Sequence, residues 1–476
     1  MSDPIVRPSE IELNAYAGGE DGVRGALDES SARWALRSDP GACVRFLKPP
    51  LPADPKNWKD DRVGWGIVTF EQPGFNHTQF AANEDLCPLL RQLLDKRNST
   101  TVLRFRAGSD LKFTLLRDYR NGKDLDIAGA PLGKTVGSIP RYLLLVGRPT
   151  ADELPWALQY LLSARCSVGR LPFHPLSDEQ LLAPYVNACL DDWVDSDCDS
   201  KATLVWAVDH SPTDITHLMR QSIAETAFKK YAEDQDLKAK AVLFASVDAT
   251  HANLRNGLKD GRPALIVTTS HGMTGPLNDK AAMAAQLGLL VDQGRRPLPL
   301  ADLFAGWRPN GAIWYAHACC AAGADDGSAF AALFSEGTEA RQVLIKVGEL
   351  GARIAPLPLA LLTCDKPVRA FLGHVEPTFD WTLLQPATGQ FLTSSLVSAL
   401  YDELYLGAPV GLAFRGWYGA AATHQTAWDV TKRAYDSSEA VKATLLYHNL
   451  VARDVQTLVL LGDPAAPMAG APAADP

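Results

Sequence analysis

From about residue 140 onward, short, predominantly apolar runs alternate with stretches of a dozen or more residues whose apolar positions recur with helical spacing. The runs lie at 142–146, 203–208, 241–247, 264–269, 312–315, 368–372 and 458–461. A strand with one wet face shows alternating polarity, so unbroken apolar runs suit strands covered on both faces. Their alternation with helical stretches predicts βαβ units around a mostly parallel sheet. Between the runs, 214–232 predicts a helix with Asp214 near its start, and 396–406 predicts another. No repeat of about 20–50 residues is visible, which argues against a solenoid.

The first 135 or so residues have a different texture. They hold a Pro-rich stretch at 48–55, one candidate strand at 66–70 and one candidate helix at 86–96. The expected organisation is a small α+β N-terminal accessory domain over 1–137, an α/β domain over 138–468, and a frayed Ala/Pro-rich tail over 469–476.

Composition narrows the class of partner. The 476 residues carry a net charge of −9, so no general basic field exists to hold nucleic acid or anionic lipid. The longest apolar runs fall well short of the roughly 18 residues a membrane helix requires, and the first residues carry no apolar stretch of signal-peptide type. A cytoplasmic location is expected. Eight cysteines are too dilute for a disulfide scaffold, and each reads first as a buried small hydrophobe.

In an open α/β sheet, reactive residues collect just past the carboxyl ends of strands. Two such ends carry chemistry: the run at 264–269 leads into Ser270-His271-Gly272, and the run at 312–315 into His317-Ala318-Cys319-Cys320. A thiol nucleophile needs an imidazole to manage its proton and N–H donors for the oxyanion. Gly272 lacks a Cβ, so a substrate carbonyl can approach its N–H. There is no phosphate-binding glycine loop and no G-x-S-x-G elbow, so nucleotide-driven and serine-hydrolase mechanisms have no motif support.

Ser270-His271-Gly272, followed 48 residues later by Ala318-Cys319, resembles the His-Gly and Ala-Cys pair of caspase-like cysteine proteases, the clan of caspases, metacaspases, gingipains and bacterial CHAT-domain proteases. The segments 142–147, 168–171, 373–375 and 460–464 are similar to recurring segments of the gingipain-like and CHAT subgroup, which extends the resemblance over about 140–468. It implies a caspase-like sandwich of a mostly parallel sheet flanked by helices. It also implies a cysteine endopeptidase acting on a protein substrate, with a role in bacterial defence or regulated proteolysis and an activating partner or ligand. By motif, His271 is the general acid/base, Cys319 the nucleophile, and the N–H groups of Gly272 and Cys319 the oxyanion hole. Cys320 stays open as an alternative nucleophile, because the glycine three residues after it, Gly323, fits part of the clan better.

Asp325, Asp326, Glu376 and Trp381 flank the same strands and are the candidate substrate-binding residues, with Asp365, Asp380 and Trp417 beside them. An acid lining the pocket would select Arg or Lys before the cut, whereas a solvated acid would leave an apolar preference. His317, Cys319, Cys320 and His271 lack metal-ligand spacing, so neither a metal nor another cofactor is expected. His210 and His374 end other apolar runs and read as loop and packing residues respectively. The competing function is a catalytically inactive scaffold that binds a peptide or signal ligand in the same cleft.

Overall fold

The computed structural model describes residues 9–13, 23–26, 53–435 and 438–470, in two compact units, 1–52 and 53–476. In the first, β1 (Glu10–Leu13) pairs antiparallel with β2 (Val23–Ala26).

The second unit is built on one twelve-stranded sheet. Its strands are β3 (Trp65–Phe70), β4 (Val102–Phe105), β5 (Leu115–Asp118), β6 (Lys123–Asp126), β7 (Tyr142–Val146), β8 (Ser167–Leu171), β9 (Asp199–Ala207), β10 (Ala241–Ala245), β11 (Pro263–Thr269), β12 (Ile313–His317), β15 (Ala370–His374) and β16 (Leu458–Gly462). A separate two-residue pair, β13 (Gly323–Ala324) and β14 (Arg353–Ile354), is antiparallel. The order across the sheet is β10-β9-β11-β12-β15-β16-β8-β7-β3-β4-β5-β6. Every pairing is parallel except β15 with β16, β4 with β5 and β5 with β6.

The expected mostly parallel α/β sheet is therefore present. The apolar runs sit inside it, and β7, β11, β12, β15 and β16 are buried at every position. Large apolar clusters cover both faces, with Trp206, Trp314 and Phe371 on one and Tyr315, Leu372 and Trp417 on the other. The edge strand β10 is half exposed.

The expected division at 137/138 is corrected by the pairing. Strand β3 lies parallel to β7 with Ile67 opposite Leu144, so residues 65–126 belong to the same sheet as the rest, and the compact units divide at 52/53 instead. Of the expected tail, Ala469 packs into the core and 471–476 lie outside the described residues.

The enlarged sheet contains the same strand order twice: β4-β3-β7-β8 and β10-β9-β11-β12 each run second, first, third, fourth in chain order. The last strand, β16, lies between the halves. Asp463, directly after it, accepts from Trp65 Nε1 at 2.9 Å and is ion-paired with Arg97, which ties the centre of the sheet to the first half.

Strand β8 shows why that half was hidden in the sequence. Its Gly169 has no room for a side chain, since a Cβ there would lie 2.1 Å from the carbonyl oxygen of Gly462. Its Arg170 is fully buried, donating to Gln159 Oε1 at 2.8 Å, Leu154 O at 2.8 Å and Gly147 O at 3.0 Å. Replacing Arg170 by methionine removes a buried charge but orphans three buried acceptors, and orphaned acceptors cost more than their hydrogen bonds contribute. We expect R170M to lose roughly 2–4 kcal/mol of stability, read as a lower denaturation midpoint.

Candidate active site

The matched register of β11 and β12 assembles the site. Thr269 lies opposite His317, and Ser270 N donates to His317 O at 3.2 Å. His271 and Cys319 each lie two residues beyond that pair, so both emerge from the same carboxyl edge of adjacent strands. Their backbones touch: a Cβ on Gly272 would sit 1.9 Å from the carbonyl oxygen of Cys319. Glycine is thus required here by close approach, and any larger residue would force the two strand ends apart. Among the described residues, the Gly272 N–H has no hydrogen-bond partner and the Cys319 N–H faces only its own sulfur, so neither is engaged by another residue.

Behind the imidazole stands a residue that sequence reasoning assigned only a helix start. Asp214 caps the helical stretch 215–233, accepting from Thr216 N at 2.9 Å and Thr216 Oγ1 at 2.6 Å, and its carboxylate also lies 3.1 Å from His271 Nε2. Partial burial pulls this carboxyl upward, but the hydrogen bonds from Thr216 and His271 outweigh it and hold it at about 2. Asp214 is therefore an anion at any working pH. With Nε2 turned to Asp214, the ring nitrogen left for other chemistry is Nδ1. No local signal could have linked two residues 57 positions apart, although a cap beside a carboxyl strand end was a clue.

The two cysteines differ sharply. Cys319 is half buried, and Thr378 N points at its sulfur from 3.4 Å. Burial pushes its thiol up, which that N–H partly offsets. Cys320 is wholly buried among Met283, Leu287, Val347 and Leu350, its backbone in the left-handed region at φ 56°, and burial drives its thiol well above the ordinary range. Seven cysteines fall within the described residues, all free; Cys43 lies outside them.

A surface cleft of about 520 Å³ runs along the Asp214 side, lined by Ile215, Leu218, Thr378, Phe379, Asp380 and Leu384 among others. Thr378 joins it to Cys319 and Asp214 joins it to His271. None of the four expected substrate-binding residues lines this cleft. Asp325 is half buried, Asp326 is exposed, and Trp381 packs against Tyr447 with ring centroids 6.1 Å apart. Asp365 pairs with Arg308, and Trp417 is core, donating to Val455 O.

Glu376 is buried directly behind the loop that carries Cys319 and Cys320. Its carbonyl accepts from Cys320 N at 3.2 Å, and its carboxyl accepts from Ser328 Oγ at 2.9 Å. Beneath Cys319, the buried Asp454 accepts from Phe379 N at 3.0 Å and Thr382 Oγ1 at 2.8 Å, so it braces the 378–382 segment. His317 and His374 stack edge-to-face at 4.8 Å in the same interior, and burial lowers both.

Burial raises Glu376 from its ordinary 4.5 to about 7 and Asp454 from 3.8 to about 7. Both folded-state values are raised, so the native protein keeps protons that the unfolded chain releases. Stability is then full below about pH 4 and falls as pH rises to about 7. Glu376→Gln abolishes one of these titrations. Its stability relative to wild type is expected to grow between pH 5 and pH 8, by up to about 3 kcal/mol, as measured by denaturant unfolding at each pH. A pH-independent difference would refute the raised carboxyl.

No protein-family model matches the chain, and no curated protein matches it. Among the described residues, no helix is long and apolar enough to cross a membrane.

Proposed function

We propose that the protein is a caspase-like cysteine endopeptidase that cleaves a protein substrate through an acyl-enzyme on Cys319. The observation that carries this reading is the position of His271 and Cys319 two residues past one matched strand pair, with the Asp214 carboxylate 3.1 Å from His271 Nε2.

In this mechanism the substrate lies along the 215/379 cleft with its scissile carbonyl over Cys319. The thiol proton passes to His271 Nδ1 as sulfur attacks the carbonyl carbon, and the N–H groups of Gly272 and Cys319 receive the oxyanion. As the C–N bond breaks, the imidazolium gives its proton to the leaving amine. Water then attacks the thioester, losing a proton to His271, and the acid product leaves with the thiol restored. Asp214 keeps the imidazole in one orientation and stabilises its cation at each proton transfer. The raised resting thiol of Cys319 fits this sequence, because the thiolate is needed only when the imidazole can take its proton.

Cys319 is preferred over Cys320 because the latter is enclosed by apolar side chains. A cleft walled by Ile215, Leu218, Phe379 and Leu384 favours substrates with bulky apolar side chains near the cut, and Asp380 on its rim adds a site for a basic neighbour. The test is to incubate cell extract with wild-type or Cys319→Ala protein and to sequence the new N-termini. New termini with a shared flanking preference in the wild-type sample alone are expected. Identical sets in both samples would favour the inactive peptide-binding scaffold.

A further inference from the structure

One polar cluster at the site is not used by this mechanism. His210, three residues past the end of β9, stacks on His271 with ring centroids 5.4 Å apart and an interplanar angle of 17°. Its Nε2 lies 3.0 Å from the carbonyl oxygen of Asp292. A carbonyl only accepts, so Nε2 carries the proton and Nδ1 carries a lone pair. That Nδ1 is buried and has no hydrogen-bond partner. One donor atom from each of His210, Asp214 and His271 lies within 4.8 Å of the other two.

Two neutral imidazoles and one carboxylate form a donor set suited to zinc, which takes nitrogen at about 2.0–2.1 Å and tolerates a water as fourth ligand. Calcium and magnesium prefer oxygen shells and gain little from two imidazoles. Closing the three groups onto one ion requires the two near-parallel rings to turn so that their nitrogens converge. The His271 and Asp214 side chains are 36% and 22% exposed, which leaves the ion a path from solvent.

We propose that His210, Asp214 and His271 form a zinc site and that its occupation silences the peptidase reaction. The silencing half rests on the proposed function; the binding half does not. With zinc on Nε2, the proton that Nε2 directs at Asp214 is displaced, and the neutral imidazole carries its single proton on Nδ1. That is the atom required to accept the thiol proton of Cys319, so the nucleophile cannot be activated while the ion is bound. Binding also ties up the Asp214 carboxylate. Apart from this shift of one proton from Nε2 to Nδ1, no covalent bond changes, and the ion is reversibly removed by a chelator.

The test uses the full chain, stripped with a chelator and titrated with zinc alone by calorimetry. It is run in wild type and in Cys319→Ala, where no turnover occurs. We expect one equivalent bound per chain in both, weakened at least tenfold by His210→Ala and by His271→Ala, with calcium and magnesium unable to compete. Thermal melting verifies that each variant is folded. Should His210→Ala fail to fold, His271→Ala, at a more exposed position, carries the comparison. Absence of stoichiometric binding in wild type, or undiminished binding in the folded variants, overturns the site. Zinc binding as expected in a protein with no detectable proteolysis would retain the site and reject the peptidase reading. In an active preparation, zinc must inhibit over the range in which it binds, with activity returning on chelation; unaffected activity at saturating zinc overturns the silencing.

Discussion

Cys319→Ala is expected to abolish proteolysis, with a loss on the order of 10⁴-fold or more, because removing the attacking atom leaves only the contributions of substrate binding and the oxyanion donors. Cys320→Ala is expected to keep the chemistry and lose stability, since its side chain fills an apolar cluster with Met283 and Leu287. The pair can be distinguished without knowing the substrate. In wild type, an alkylating reagent should modify Cys319 ahead of the other six described cysteines. Cys87, Cys166, Cys189 and Cys320 are buried, and burial raises the thiols of the half-buried Cys198 and Cys364 to about 11. The rapid modification should vanish in Cys319→Ala and slow in His271→Ala, because alkylation requires the thiolate that the imidazole helps to form. Activity that survives Cys319→Ala and disappears in Cys320→Ala would reverse the assignment, and it would require the 319–324 loop to refold around a solvent-facing Cys320.

The readable parts of this fold are those in which one residue pattern has one physical cause. Strands β11 and β12 are covered on both faces, so 264–267 and 312–315 are apolar without the alternation of a half-wet strand and announce themselves. The strand ends were legible for the same reason, because His271 and Cys319 lie just past the points where the apolar runs give way to polar residues. Strand β8 was obscured because its burial is achieved with Arg170 and Gly169, whose justification lies in the distant acceptors Gln159 and Gly147 and in the backbone of Gly462. Strands β3 to β6 were read as part of a separate domain because they are four to six residues long and divided by loops. Only the parallel pairing of β3 with β7 joins them to the rest. The paired roles of Asp214 were beyond a linear reading: the same carboxylate that caps a helix also reaches an imidazole brought close by the β9–β11 pairing.

Those two roles can be separated by one substitution. Asparagine caps a helix about as well as aspartate, so Asp214→Asn retains an acceptor for Thr216 N and should leave the melting temperature near that of wild type. It removes the negative charge beside His271 Nε2 and permits the amide to present a donor there, which favours the wrong tautomer and destabilises the imidazolium. The expected loss is about 10²–10⁴-fold in kcat. Asp214→Ala should show the same kinetic loss and in addition roughly 0.5–2 kcal/mol of instability from the missing cap. The pH dependence makes the comparison sharper. Hydrogen bonds, with burial opposing them, hold the Asp214 carboxyl at about 2, so wild type keeps its anion throughout pH 5–8. Ionisation of Asp214 itself should then add no pH dependence to the ratio of wild-type to Asp214→Asn rates over that range. Being a lowered carboxyl, it adds stability above about pH 4 that is lost as pH falls towards 2, far below the range in which rates are compared. If Asp214→Asn lowers the melting temperature by as much as Asp214→Ala and leaves kcat intact, Asp214 is a helix cap alone, and the imidazole must be oriented by His210 stacking and the strand edge.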